Sequence, residues 1–316
     1  EEACLRALDI DDDAAEVHAA LGSLYVASCK NENALHELEE ALDDNANLDD
    51  VYIGLDQTYE ALNRPEEAEA NLRKAIDADV SNWVSFNAMG NFLFGQGRFL
   101  EAAEFYQMYV NRADNDAAAL NNLGAAYYLA GEFRQAAEAW ESAIAIRPNR
   151  SVYSNTGTMY FFLGEFEKAA DRYALAANLA PNDYIVWGNL ADAYYFGEKF
   201  EQVAAVTYKR ALALVEQQLE VNPQDAEAMS FAAYFNARLG NRDTALEYDE
   251  RSREKAPDNM YVYYNSALVH AQFEQTDSAL DALERAVALD YQEDLLSLDP
   301  AFENLREEER FKQLVE

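Results

Sequence analysis

The chain has 316 residues, half of them hydrophobic, with 20 Tyr and 16 Phe but only 12 Gly and 6 Pro, a profile that implies mostly helix with short turns. Its net charge of -35, from 59 acids against 24 bases of which seven are lysines, excludes nucleic acid and anionic lipid as partners, because a surface of one sign repels polyanions. The acids run through the whole sequence, as in "DIDDDAAE" and "LREEER". That spread favours a solvated coat suited to high salt over the other reading, an attractor for a basic partner.

Taken in order, "EEACLRALDIDDD" reads as the second helix of a hairpin, with Cys4 and Ala7 in its apolar stripe. The helix that pairs with it is expected upstream of residue 1. From residue 15 the sequence repeats. "LGSLY" at 21–25, "LDQTY" at 55–59, "LGAAY" at 123–127, "TGTMY" at 156–160 and "LADAY" at 190–194 align. Alanines follow at fixed distance: Ala34, Ala68, Ala136 and Ala169, then Ala41, Ala75, Ala143 and Ala176. Repeat starts fall at 15, 49, 83, 117, 150, 184, 226 and 260, with spacings of 34, 34, 34, 33, 34, 42 and 34.

Each repeat reads as two helices, A and B. In helix A of the fourth, Leu123 and Tyr127 share a face and Gly124 admits a close neighbour; in helix B, Ala136, Trp140 and Ala143 form a stripe at helical spacing. One hairpin cannot bury this surface, but stacked hairpins can. The 42-residue spacing belongs to the sixth repeat, where "VAAVTYKRALALVEQQLEVNP" stays helical, so a helix B two turns longer is expected over 203–223. It reads either as a hinge or partner surface, or as a tolerated insertion. The ending "LDPAFENLREEERFKQLVE" breaks the period: Asp299 suits an N-cap, Pro300 the first helical position, and Phe302, Leu305 and Phe311 can cover the last repeat. Cys4 and Cys29 fit small-residue positions in helices and are too few for a disulfide framework, leaving structural thiols or a single bridge.

This pattern resembles the tetratricopeptide repeat family, over residues 1 to about 291. Asp56, Ala191, Ala233 and Ala267 depart from the family's small glycine, and Asn236 and His270 from its aromatic. The resemblance implies an all-α solenoid, a right-handed superhelix of helix-turn-helix repeats. Its expected parts are half a hairpin at 1–14, eight hairpins over 15–291 and C-terminal capping helices over 292–316. The ending and the long sixth repeat are also similar to C-terminal repeat regions of bacterial signalling proteins, eukaryotic-like serine/threonine kinases among them.

Several stretches imitate chemistry. "GNFLFGQG" at 90–97 spaces glycines like a phosphate loop but lacks the Lys-Ser/Thr and the preceding strand. "DIDDDA" at 9–14 starts like a calcium loop but has Ala14 at the turn glycine and Ala20 at the twelfth position. His18, His36 and His270 have no metal-ligand spacing, and no Ser or Cys has a base partner. No catalytic residue, metal or cofactor is expected, nor an enzyme active in the groove. A run of about 18 apolar residues, the least a membrane-spanning helix needs, is absent, and no signal peptide is visible.

The resemblance also implies that positions 2, 5, 6, 9, 12 and 13 of each repeat line a concave face. Position 6 reads Ala20, Gly54, Ala88, Asn122, Asn155, Asn189, Phe231 and Asn265. Asn87 and Asn121 at position 5 and Asn91 at position 9 lengthen the polar track; Phe94, Tyr128, Phe161, Phe162, Tyr195 and Phe196 supply an aromatic wall. A carboxamide offers a donor and an acceptor together, so it can pair with the backbone of an extended peptide. The competing reading is that these amides bridge adjacent A helices. Arg238 is the only base near the groove, which disfavours clamping of a terminal carboxylate. The expected function is a protein or peptide scaffold within a larger signalling protein. The alternative is self-assembly of its parent, as in a homodimer, with no peptide in the groove. The coat reading makes a prediction: the melting temperature climbs with KCl into the molar range, as read by circular dichroism, whereas a flat or falling curve contradicts it.

Overall fold

The computed structural model describes residues 15–44, 49–78, 83–113, 115–197 and 201–315, and among them every regular element is helical. The expected helix at 1–14, with Cys4, Ala7 and the acidic turn 9–14, lies outside the described residues. The chain divides into two compact units, residues 1–146 and 147–316.

In the first unit the helices pair as hairpins. They are α1 (Ala15–Ala27) with α2 (Asn31–Asp44), α3 (Asp49–Ala61) with α4 (Pro65–Ala78), α5 (Val84–Gly95) with α6 (Phe99–Val110), and α7 (Ala117–Leu129) with α8 (Phe133–Ile146). In the second unit α9 (Arg150–Phe162) pairs with α10 (Phe166–Leu179), α11 (Tyr184–Phe196) with α12 (Glu201–Val221), α13 (Ala226–Arg238) with α14 (Arg242–Lys255), and α15 (Met260–Gln272) with α16 (Thr276–Val287). There follow α17 (Glu293–Leu298), a 3-10 helix (Pro300–Leu305) and α18 (Glu309–Leu314). At 21 residues α12 exceeds the 14 of α10 and α14 by two turns.

Local chemistry sets the boundaries. Asp116, Asn149, Asp183, Asp225 and Asn259 each N-cap the A helix that follows, accepting backbone N–H bonds at 2.9–3.3 Å. Part of the acid content is therefore structural, since a short acceptor at this place satisfies donors the helix cannot. Between helices A and B the chain turns through a left-handed residue: Cys29, Asn63, Gly97, Gly131, Gly164, Gly240 and Glu274 all have positive φ. Cys29 thus corrects the sequence expectation. It sits exposed in an inter-helix turn at φ 54°, not in a helix, and it is a free thiol.

The core is built from the repeated small residues. Ala34, Ala41, Ala136, Ala169 and Ala176 are wholly buried, and Ala68, Ala75 and Ala143 nearly so. The tightest contact is between helix A and helix B. A Cβ placed on Gly124 would lie 2.5 Å from Trp140 Nε1; on Gly90 it would meet Tyr106 at 2.7 Å, and on Gly157 it would meet Tyr173 at 2.9 Å. In each of these hairpins the large side chain stands 16 residues after the glycine, so the same ring-on-backbone contact recurs.

At the end of the second unit Phe302, Leu305 and Phe311 are buried. Asp299 accepts from Ala301 N at 2.8 Å and from the Tyr264 hydroxyl at 2.5 Å, while Tyr264 stacks on Tyr291 at 4.7 Å. One carboxylate therefore starts the 3-10 helix and ties it to α15.

The ring-on-glycine contact makes a paired prediction. Gly124→Ala forces the Trp140 ring outward and costs about 1–3 kcal/mol, the scale of overpacking. Gly95→Ala, with nothing within 4 Å of the added carbon, shifts stability by about 0.5 kcal/mol or less. Thermal melts of the two variants beside wild type check both.

Candidate functional site

The A helices carry the predicted site residues, and the structure sorts them into groups. In the first unit, Asn87 on α5 and Asn121 and Asn122 on α7 are half-buried. Their side-chain amides have no hydrogen-bond partner among the described residues. The Asn121 carbonyl, a backbone group, accepts from Trp140 Nε1 at 3.2 Å. Asn91 is exposed but engaged, because the Tyr106 hydroxyl donates to its Oδ1 at 2.8 Å. Phe94 meets the edge of Phe99 at 5.3 Å, and Tyr128 lies 6.2 Å from Phe133 and 6.3 Å from Trp140. Both rings are half-buried.

In the second unit, Asn155 on α9 is exposed and Asn189 on α11 half-buried, and neither amide has a partner among the described residues. Asn265 at the equivalent place on α15 differs. It is buried and donates to Ser230 Oγ on α13 at 2.9 Å, joining two A helices. The bridging of A helices considered for these asparagines thus occurs at Asn265, while the Asn155 and Asn189 amides are unpaired among the described residues. Phe161 and Phe162 are buried. The Phe161 ring packs against Phe162, Phe166 and Phe196 at 5.5–5.6 Å, so these two rings serve the core and leave Tyr195 and Phe196 as the accessible aromatics of this unit's predicted wall.

A recurrent hydrogen bond organises position 9. The hydroxyl of the helix-B tyrosine donates to it: Tyr106 to Asn91, Tyr173 to Thr158 at 2.9 Å, and Tyr208 to Asp192. In the sixth repeat this grows into a network. Tyr234 also donates to Asp192 Oδ1, at 2.5 Å. Arg238 Nε donates to the Tyr234 hydroxyl at 3.0 Å and its Nη1 to Gln272 Oε1 at 2.6 Å. The Arg238 guanidinium lies 4.5 Å from the Tyr195 ring, 5.0 Å from Phe196 and 5.2 Å from Tyr234. Burial pushes the Asp192 carboxyl up to about 6, against the pull of Arg238 and the two tyrosines. Tyr208 and Tyr234 are held well above the usual phenol range, first by burial and also by the Asp192 charge.

Two more acids stand where the repeat places small or aromatic residues. Asp56, at the small-residue position, is pushed up to about 6 by burial and by Glu60. Asp249 is buried in α14 against His270 Nε2 at 3.3 Å and Arg253 at 3.0 Å. Burial alone would raise it, but the neighbouring polar groups of His270 and Ser266 and the Arg253 charge carry it below the usual range. His270 is raised against its own burial by Asp249 and Gln275. His18 is likewise buried, with Nδ1 2.8 Å from Glu37. Among the described residues no group of three or more His, Cys, Asp or Glu could hold a metal ion, and no helix is long and apolar enough to cross a membrane.

The repeat pattern gave no sign of the Asp192 network. A signal was nevertheless present: Asn91, Thr158 and Asp192 are polar residues at position 9, each with a tyrosine 15 or 16 residues later. The Asp192 shift has a definite sign. The folded chain takes up this proton near pH 6 and the unfolded chain near 3.8, so the carboxyl contributes stability that is lost as pH rises between those values. Wild type therefore gains urea resistance on going from about pH 7 to pH 4.5. Asp192→Asn reduces that gain, and an unchanged gain contradicts the assignment.

Tetratricopeptide repeat models match residues 57–118 and 203–259, 117–150, and 261–293, together more than half of the chain. No curated protein matches the sequence. A tetratricopeptide repeat protein from Parabacteroides merdae is similar in structure, with a TM-score of 0.61 at 14% identity, over 80% of this chain and 98% of that one. The C-terminal part of a repeat-containing protein from Cytophaga hutchinsonii gives 0.58 at 17% identity, over 78% of this chain and 98% of that one. At these identities the likeness shows the fold. With repeat models covering more than half of the chain and an all-α solenoid of helical hairpins, the chain belongs to the tetratricopeptide repeat family.

Proposed function

We propose that the protein is a scaffold whose A-helix faces hold an extended peptide or partner segment, and that it serves as the sensing part of a larger bacterial signalling protein. Family membership supports a protein-interaction role. The observation that carries the peptide reading is the contrast among equivalent asparagines. Asn265 is consumed by Ser230, while the amides of Asn122, Asn155 and Asn189 remain open. An amide left open on a helix face offers a donor and an acceptor in the arrangement that a peptide backbone needs. Tyr128 on the helix of Asn122, and Tyr195 and Phe196 on the helix of Asn189, supply rigid apolar contacts with little side-chain entropy to lose. The signalling context rests on the resemblance of the ending and the long sixth repeat to such regions.

Capture from the source lysate at matched salt tests the peptide reading. The baits are wild type and the triple variant Asn122→Ala, Asn155→Ala, Asn189→Ala, with its fold checked by circular dichroism. Partners held by wild type are lost from the variant. Partners retained equally by both mean that the binding surface lies elsewhere.

A further inference from the structure

We infer that the second unit selects a segment carrying a lysine or arginine, whose cation is received by Asp192; this rests on the peptide reading above. Across positions 2, 5, 6, 9, 12 and 13 of α9 and α11, Asp192 is the one charged residue. The rest of these positions carry Ser, Thr, Asn, Gly, Ile, Phe and Tyr. These positions therefore carry one fixed charge of their own, and it is negative; the cation beside them is Arg238 of α13, on the Tyr195 and Phe196 rings.

Asp192 is held like an acceptor awaiting a donor. Both tyrosine hydroxyls, from Tyr208 and Tyr234, go to its Oδ1. Its Oδ2 has no hydrogen bond among the described residues, yet it is not among the polar atoms sealed from solvent without a partner. The carboxylate is thus pinned through one oxygen, while the other is unpaired among the described residues. Its neighbouring cation is otherwise engaged. Arg238 bonds to Tyr234 and Gln272 and lies on three rings; its charge acts on Asp192, but among the described residues no ion pair within 4.0 Å joins the two. An anionic ligand aimed at Arg238 would have to approach Asp192 and displace those bonds.

Asn189 precedes Asp192 by three residues and shares its helix face, so its open amide lies one turn away. A segment whose backbone pairs with Asn189 presents its side chains within reach of Asp192 Oδ2. The field of a chain with net charge -35 raises the local concentration of cationic segments and speeds their arrival. That field alone would draw basic peptides to the whole surface without discrimination. Selection by one acid is what separates the two effects.

The test pans a random 12-residue phage-displayed peptide library on the full chain and re-measures enriched peptides in soluble form by calorimetry. Wild type is expected to enrich sequences sharing one Lys or Arg at a fixed place. Asp192→Asn keeps an acceptor for both tyrosines and removes the charge; it should weaken those peptides about tenfold or more, the scale of a charge-assisted hydrogen bond. Asp243→Asn, at an exposed acid of α14, should leave them unchanged. Replacing the shared Lys by norleucine should weaken binding to wild type to a similar extent, and this holds the test firm should Asp192→Asn fold poorly. Enriched sequences without a shared basic residue overturn the inference, as do peptides bound equally by wild type and Asp192→Asn, while the peptide reading survives both. No enrichment at all, or full binding to an Asn155→Ala, Asn189→Ala variant, overturns the peptide reading and this inference with it.

Discussion

The architecture depends on a ring of helix B lying on a glycine of helix A. Tyr106 on Gly90, Trp140 on Gly124 and Tyr173 on Gly157 leave no space for a single added carbon. The contact brings two backbones together and buries a large aromatic at once, so the hairpin becomes a rigid unit. Where the sixth repeat lengthens, the arrangement changes. Gly188 admits the ring of Phe235 from the following A helix, and a Cβ added at Gly188 would lie 2.6 Å from Phe235 Cε1. Gly188 stands three residues before Ala191, the residue equivalent to those glycines, so this close approach is a separate one, between two A helices.

That same contact decides which polar groups are spent inside the fold. A tyrosine at the ring position of helix B sends its hydroxyl to position 9, where Asn91, Thr158 and Asp192 receive it. A buried hydroxyl needs a partner, so position 9 is polar where these tyrosines stand. In the fourth repeat the ring is Trp140; its N–H bonds the Asn121 carbonyl, and position 9 is Ala125. Position 6 lies outside this coupling. Its asparagines are therefore free to serve a neighbour, as Asn265 does, or a ligand.

Much of the fold was legible in the sequence because its signals repeat. The 34-residue period located the hairpins, and the buried alanines sit where the period put them. The longer α12 followed from an insertion that kept its helical pattern. The site was less legible, since its residues depend on contacts that differ between repeats. Phe161 and Phe162 occupy groove positions by register, but both are buried, and rings from α10 and α11 cover Phe161. Asn91 looks identical in sequence to an open amide, and only the Tyr106 hydroxyl distinguishes it. Half-buried Asp192 showed only in the pairing of a polar position 9 with a later tyrosine, and nothing local marks Asp249 as a buried acid. Their partners Tyr234 and His270 lie in the following repeat. Cys29 was misplaced because the left-handed turn usually carries glycine or asparagine, as at Gly97 and Asn63.

The central claim is that the amides of Asn122, Asn155 and Asn189 are open for a ligand while that of Asn265 is committed to packing. Side-chain amide proton exchange with water, followed by NMR on asparagine-labelled protein without ligand, addresses this directly. The account predicts fast exchange at Asn122, Asn155 and Asn189 and strong protection at Asn265. Protection at all four would mean that every one of these amides is bonded within the protein, and would contradict the account.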